Sequence, residues 1–271
     1  MSQALRPVSF ATGRSTGRGS RPGTLDWTRE TRGILRTRDR LTFAGQGALY
    51  VLAALPWEVR RALGIKRRRV AHVDARALEP PDSRVCREAE ELVAEGTSPM
   101  VANHSHRTYA WGAALAAHDR LRYDREVVYV ASLLHDLYAE HPTVLPYPHC
   151  FTLPEADKAE ELAEAAGWEE RRGRAAAEAI TLHVNLWPPR DSAESYLVFV
   201  GSRLDNVGYR YWDLHPDTVR AVLARHPRLD FKRECVPIFN AQAAANPGSR
   251  MSFMTRYLAV LWFIRRAPFE E

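Results

Sequence analysis

Residues 103–115 read Asn-His-Ser-His-Arg-Thr-Tyr-Ala-Trp-Gly-Ala-Ala-Leu. Within them His104, Thr108, Trp111 and Leu115 fall at i, i+4, i+7 and i+11, the spacing of one helix face. His106 belongs to another face, with Ala110 and Ala113. The same period recurs outward from here. After Asp82 or Ser83, either of which can cap a helix, come Val85, Ala89, Leu92 and Val93. Further helical stretches are predicted at about 101–119, 125–137, 155–166, 169–184, 192–208, 216–226 and 250–266. No segment keeps a period of two for long, and Gly-rich hairpin signals are missing. The chain therefore reads as all-α.

The chain has 271 residues, 45% of them hydrophobic, enough for one sizeable core. Residues 1–24 hold Ser, Gly, Arg and Thr with few large apolar groups, and are expected to be a disordered basic tail, dispensable for catalysis. Residues 25–78 are expected to form an N-terminal helical extension and 79–271 the main domain, with Glu-Pro-Pro-Asp at 79–82 as the boundary. Arg and Lys crowd the first 76 residues, leaving the remainder net acidic, which argues against a nucleic-acid groove there. Residues 41–70 join an apolar run to a basic cluster. Such a segment can lie on an anionic membrane, but core packing with a solvated basic turn is the preferred reading. Three scattered cysteines, Cys86, Cys150 and Cys235, form neither a disulfide framework nor a zinc signature, so the cytoplasm is the expected compartment. Association into a homo-oligomer is left open.

Chemistry enters with two further pieces. Residues 127–137, Val-Val-Tyr-Val-Ala-Ser-Leu-Leu-His-Asp-Leu, end an apolar run in His135-Asp136. Asp205 closes another in Leu204-Asp205-Asn206-Val207-Gly208. A carboxylate in such a place needs a partner or a metal. Two imidazoles and two carboxylates from three helices can hold one divalent ion, which makes water a nucleophile at neutral pH. Spacing leaves open whether His104 or His106 takes part. His183, in Ala-Ile-Thr-Leu-His-Val-Asn, is a further histidine at an apolar helix end, suited to a second ion, to proton transfer or to substrate contact.

At these residues the chain resembles the HD-domain metal-dependent hydrolase superfamily, whose pattern is His, then His-Asp, then Asp on a helical bundle. It resembles most the cyanamide hydratase-like branch. The likeness lies in PPDSRVCREAEEL with SPMVANHSHRTYAWGAAL, in SLLHDL, in FTLPEADKAEELAEAAGW, in AEAITLHVN and in the LDNVG segment. It spans roughly residues 79–260. The resemblance implies His104, His135, Asp136 and Asp205 as ligands of one divalent ion, zinc first, with iron or manganese as alternatives. It also implies an HD-domain helical bundle. Tyr138 departs from the branch, which usually has a small residue there, and its ring is expected to reshape the pocket.

The expected activity is that of a metal-dependent hydratase or hydrolase: metal-generated hydroxide attacks a small substrate such as a nitrile or cyanamide-like compound. Asp136, His183 and Arg107 are the expected catalytic groups, and Asn103, Trp111, Tyr138 and Trp187 the expected substrate contacts. The competing readings are a phosphohydrolase or phosphodiesterase of the same superfamily and a non-catalytic metal-binding regulator. Phosphate would call for several cationic donors beside the ion, and only Arg107 and Arg203 lie near the ligands in sequence.

Overall fold

The computed structural model describes residues 20–62, 73 and 75–271. All regular structure among these residues is helical. In chain order the helices are α1 (Leu25–Thr31), α2 (Thr37–Ala62), α3 (Arg84–Gly96), α4 (Pro99–Asp119), α5 (Arg125–Leu134) and α6 (Thr152–Ala165). They continue with α7 (Glu170–Leu182), α8 (Ala193–Val207), α9 (Pro216–Arg225), α10 (Phe231–Ala245), α11 (Arg250–Tyr257) and α12 (Val260–Arg265). Within the described residues, only an isolated bridge between Ile34 and Ser249 has extended pairing.

Helices α4, α5, α7 and α8 make the centre. Ser98 starts α4, its hydroxyl accepting from the Val101 N–H with Pro99 in the first turn, where a missing N–H costs nothing. Asp124 caps α5 by accepting from the Glu126 and Val127 N–H groups. Two glycines set how closely α4 and α8 approach. A Cβ on Gly201 would lie 2.1 Å from the Thr108 carbonyl oxygen, and one on Gly112 would lie 2.9 Å from that of Leu197. Only bare backbone fits there, so α8 lies directly on α4 and brings Asp205 against His104.

The structure redraws several predicted boundaries. Regular helix α5 stops at Leu134 rather than 137, because His135 and Asp136 open a run of turns. The predicted helix 250–266 is two helices, broken at Ala259, which has φ of 51°. Helix α10 was not foreseen; it carries Pro237 in its interior, a residue that argues against helix in sequence.

The first part of the segment expected as an N-terminal extension, residues 25–43, packs on the rest of the described fold. Leu25 joins the main core, while Trp27, Leu35 and Phe43 join a second cluster with Met251, Met254 and Ile264. On α2, Leu41, Leu49 and Leu52 face outward while Phe43 is buried, so the apolar run is only partly absorbed into the core. No helix among the described residues is long and apolar enough to cross a membrane. Most of the expected disordered tail and of the basic cluster, residues 1–19 and 63–70, lies outside the described residues. Thr24, at the tail's end, caps α1.

Candidate metal centre

Two histidines occupy the same position on two different helices. His135 is the first residue beyond α5, and its Nδ1 lies 2.7 Å from the Ser132 carbonyl oxygen. His183 is the first residue beyond α7, and its Nδ1 lies 2.6 Å from the Ile180 carbonyl oxygen. The last carbonyls of a helix have no partner within it. A carbonyl can only accept, so each Nδ1 must carry the proton and donate it. Each Nε2 is then left with a free lone pair. Burial pushes both imidazoles below the ordinary histidine pKa and keeps them neutral.

His104 differs: burial opposes its charge, but the Asp136 and Asp205 carboxylates outweigh burial and hold its pKa above the ordinary histidine value. Its Nδ1 lies 2.7 Å from Asp205 Oδ2, so it donates to the carboxylate and turns Nε2 to the opposite side. Asp205 is itself enclosed. Arg107 donates to it twice, Nε to Oδ1 at 2.8 Å and Nη2 to Oδ2 at 2.9 Å. Trp111 Nε1 donates at 2.8 Å and Arg228 Nη1 at 3.2 Å. Arg228 in turn donates from Nε to Glu271 at 3.0 Å. Burial opposes the Asp205 charge, but the two guanidinium groups outweigh it and hold the carboxyl well below its usual range.

His104 Nε2, His135 Nε2 and Asp136 Oδ2 therefore converge. They form a triangle with sides of 3.3 Å between the nitrogens, 3.3 Å from His104 to Asp136 and 3.4 Å from His135 to Asp136. Three donors about 2.0–2.1 Å from one ion in tetrahedral arrangement stand about 3.3–3.4 Å apart. The group fits a metal ion by donor type and by spacing. Burial opposes ionisation of Asp136 as well, yet the His135 and His104 imidazoles hold its carboxyl below the usual range. His183 Nε2 stands 3.8 Å from the other Asp136 oxygen.

The triangle opens into a cavity of about 50 Å³, with His104, Asp136 and His183 in its floor. The opposite wall comes from α10, α11 and α12, through Phe231, Ile238, Phe239, Met251, Met254 and Val260. Ser202, Arg203, Asn206 and Gln242 supply its polar edge.

With this geometry in view, the comparisons with known proteins are specific. No family model matches the chain. Cyanamide hydratase DDI2 of Saccharomyces cerevisiae is 26% identical over 212 residues, 75% of this chain and 91% of that protein. The chain is similar to cyanamide hydratases. Cyanamide hydratase DDI3 of the same organism matches to the same extent. The likeness supports an enzyme of hydratase type.

The expected site residues divide into three groups. His104, His135, Asp136 and His183 come together around the cavity floor. His106 does not; it stacks on His226 at 4.9 Å. Asp205, expected as a fourth ligand, stands behind His104 with its oxygens taken by Arg107, Trp111 and Arg228. Arg107, expected as catalytic, is fully buried on Asp205 and on the carbonyls of His226 and Pro227. None of the expected substrate contacts Asn103, Trp111, Tyr138 and Trp187 is among the residues lining the cavity. Trp111 is buried and serves Asp205, and Tyr138 packs against the main core. Trp187 is 37% exposed.

One buried group escaped the sequence reading. Glu155 is inaccessible, accepts from the Tyr138 N–H at 2.9 Å, and leaves Oε2 without a partner among the described residues. Burial, with the Asp136 charge nearby, raises its pKa well above the usual carboxylate value, so it stays protonated. Its signal in sequence, an acid three residues into α6, is also that of an ordinary helix start.

Proposed function

We propose that the chain is a metal-dependent hydratase of the HD-domain superfamily that adds water to a small nitrile or cyanamide-like substrate. His104, His135 and Asp136 would hold one divalent ion. The observation that carries this reading is the triangle of donors in the cavity floor. Two imidazole nitrogens and a carboxylate oxygen are a donor set that suits zinc, with iron or manganese as alternatives. A bound ion would supply Lewis acidity and make water nucleophilic at neutral pH.

The chain's own groups have distinct tasks. Asp205, itself held by Arg107, Arg228 and Trp111, fixes the tautomer and the aim of His104, as a carboxylate behind a metal-binding histidine does. His183 lies at the cavity, kept neutral by burial with its Nε2 lone pair free, so it can take a proton from the attacking water and return it to the nitrile nitrogen. Water and a nitrile then give an amide, and water and cyanamide give urea. The three cysteines are free and buried, which suits the cytoplasm as the compartment.

The test is turnover of cyanamide by the purified chain with its metal content measured, before and after chelation and again after adding zinc back. Activity should track zinc. A stable, metal-free protein inactive on nitriles after reconstitution would overturn the reading.

A further inference from the structure

We infer that the substrate is neutral, carries a small apolar substituent, and is larger than cyanamide but smaller than an aromatic nitrile; this rests on the hydratase reading of the site. Three observations support it.

The first is charge. Among the described residues lining the cavity, Arg203 is the single Arg or Lys, and its Nη2 is held by the Asn185 carbonyl at 2.6 Å and the Met254 sulfur at 3.7 Å, with the guanidinium over the Phe199 ring. Arg107 and Arg228 are turned onto Asp205 at the rear. Among the described residues, a phosphoester or carboxylate would find only the Arg203 guanidinium at the cavity, already engaged, rather than the several donors a phosphate calls for.

The second is the wall opposite the triangle. Phe231, Ile238, Phe239, Met251, Met254 and Val260 offer carbon and thioether sulfur. Gln242, on the polar edge, spends its amide N–H groups on the carbonyls of Tyr138 and Ala139. The amino N–H groups of cyanamide, pressed on that wall, would lose their hydrogen bonds. Methyl groups in their place would be buried favourably.

The third is size. A cavity of about 50 Å³ is well below the roughly 150 Å³ of an apolar cavity that accepts benzene. Met251 and Met254 set this ceiling with side chains that can yield but not vanish.

The experiment compares cyanamide, methylcyanamide, dimethylcyanamide and benzonitrile as substrates of the zinc-loaded full chain. Binding of their products, urea, methylurea, 1,1-dimethylurea and benzamide, is titrated in parallel. We expect kcat/KM and product affinity to rise about fourfold for each methyl group buried, then to fall at the aromatic compound. Met251→Ala should move the optimum toward the aromatic compound, with Ile238→Ala as a second variant in case the first fails to fold. Preference for cyanamide and urea, flat binding across the series, or benzonitrile equal to dimethylcyanamide would overturn the inference. The expected binding series without turnover of any nitrile would uphold the pocket and sink the hydratase reading instead.

Discussion

The floor and the roof of the cavity are built by different physics. The floor comes from α4, α5, α7 and α8, is almost wholly inaccessible, and its histidines, Asp205 and the arginines behind them are hydrogen-bonded in definite directions. The roof comes from α10, α11 and α12, the last two short and joined through Ala259 in a left-handed conformation, and it contributes mainly apolar side chains. On the outer side of the roof Tyr257 is 69% and Trp262 47% exposed. The contrast teaches where change is tolerated. A directed network fails when one member is removed, because its neighbours are left buried and unpaired. An apolar wall can change shape by a methyl group at modest cost. On the proposed hydratase reading, reaction type would reside in the floor, and substrate choice in the roof.

The sharpest way to break this contrast is His135→Ala, which should abolish both metal binding and turnover. Full zinc occupancy in that variant, by elemental analysis, would refute the donor triangle. Next is His183→Ala. It should keep the metal but slow turnover by about two to four powers of ten. Loss of the ion would instead make His183 a ligand, and unchanged rates with lower stability would make it a packing residue.

A smaller effect is expected for Asp205→Asn, which leaves Arg107 and Arg228 beside a neutral group. Removing one partner from a buried charge cluster costs about 3–5 kcal/mol, visible as a lowered Tm. Metal affinity should fall about 10–100-fold as His104 loses its anchor. Complete loss of metal would show Asp205 bound to the ion itself.

The smallest effect concerns pH. The folded chain keeps Glu155 protonated, whereas the unfolded chain releases that proton near 4.5. Above this pH the native state binds more protons than the unfolded state, so Glu155 lowers stability as pH rises toward its folded pKa. Glu155→Gln removes this liability. Its advantage in unfolding free energy over the unmodified chain, read by denaturant melts, should be nil at low pH and then grow, by at most about 1.4 kcal/mol per pH unit. An advantage constant with pH would mean that Glu155 is ionised in the fold.

The helical class and the central helices were legible because their faces repeat with the helix period, as His104, Thr108, Trp111 and Leu115 do. His135-Asp136 was legible because a carboxylate that follows a mainly apolar run, Val127 to Leu134, demands a partner. The partners of Asp205 were not legible. Arg107 lies 98 residues away and Arg228 lies 23 residues away on another segment, and no local pattern announces either contact. Of the roof, residues 250–266 were legible as helical, but α10, the break at Ala259 and the cavity they face were not. Pro237 and Ala259 disturb the period of α10 to α12, and apolar residues facing a cavity read the same as residues facing a core.

The chain of contacts from Glu271 through Arg228 and Asp205 to His104 also imposes a timetable. His104 meets Asp205 across 101 residues, and Arg228 meets Glu271 across 43. A nascent chain grown only past residue 136 would carry the His-Asp pair and Arg107 without the carboxylate that aims His104 and neutralises the guanidinium. Contacts of such separation close slowly, because loop entropy must be overcome before they contribute. The network that aims His104 is thus among the later contacts of the fold to close.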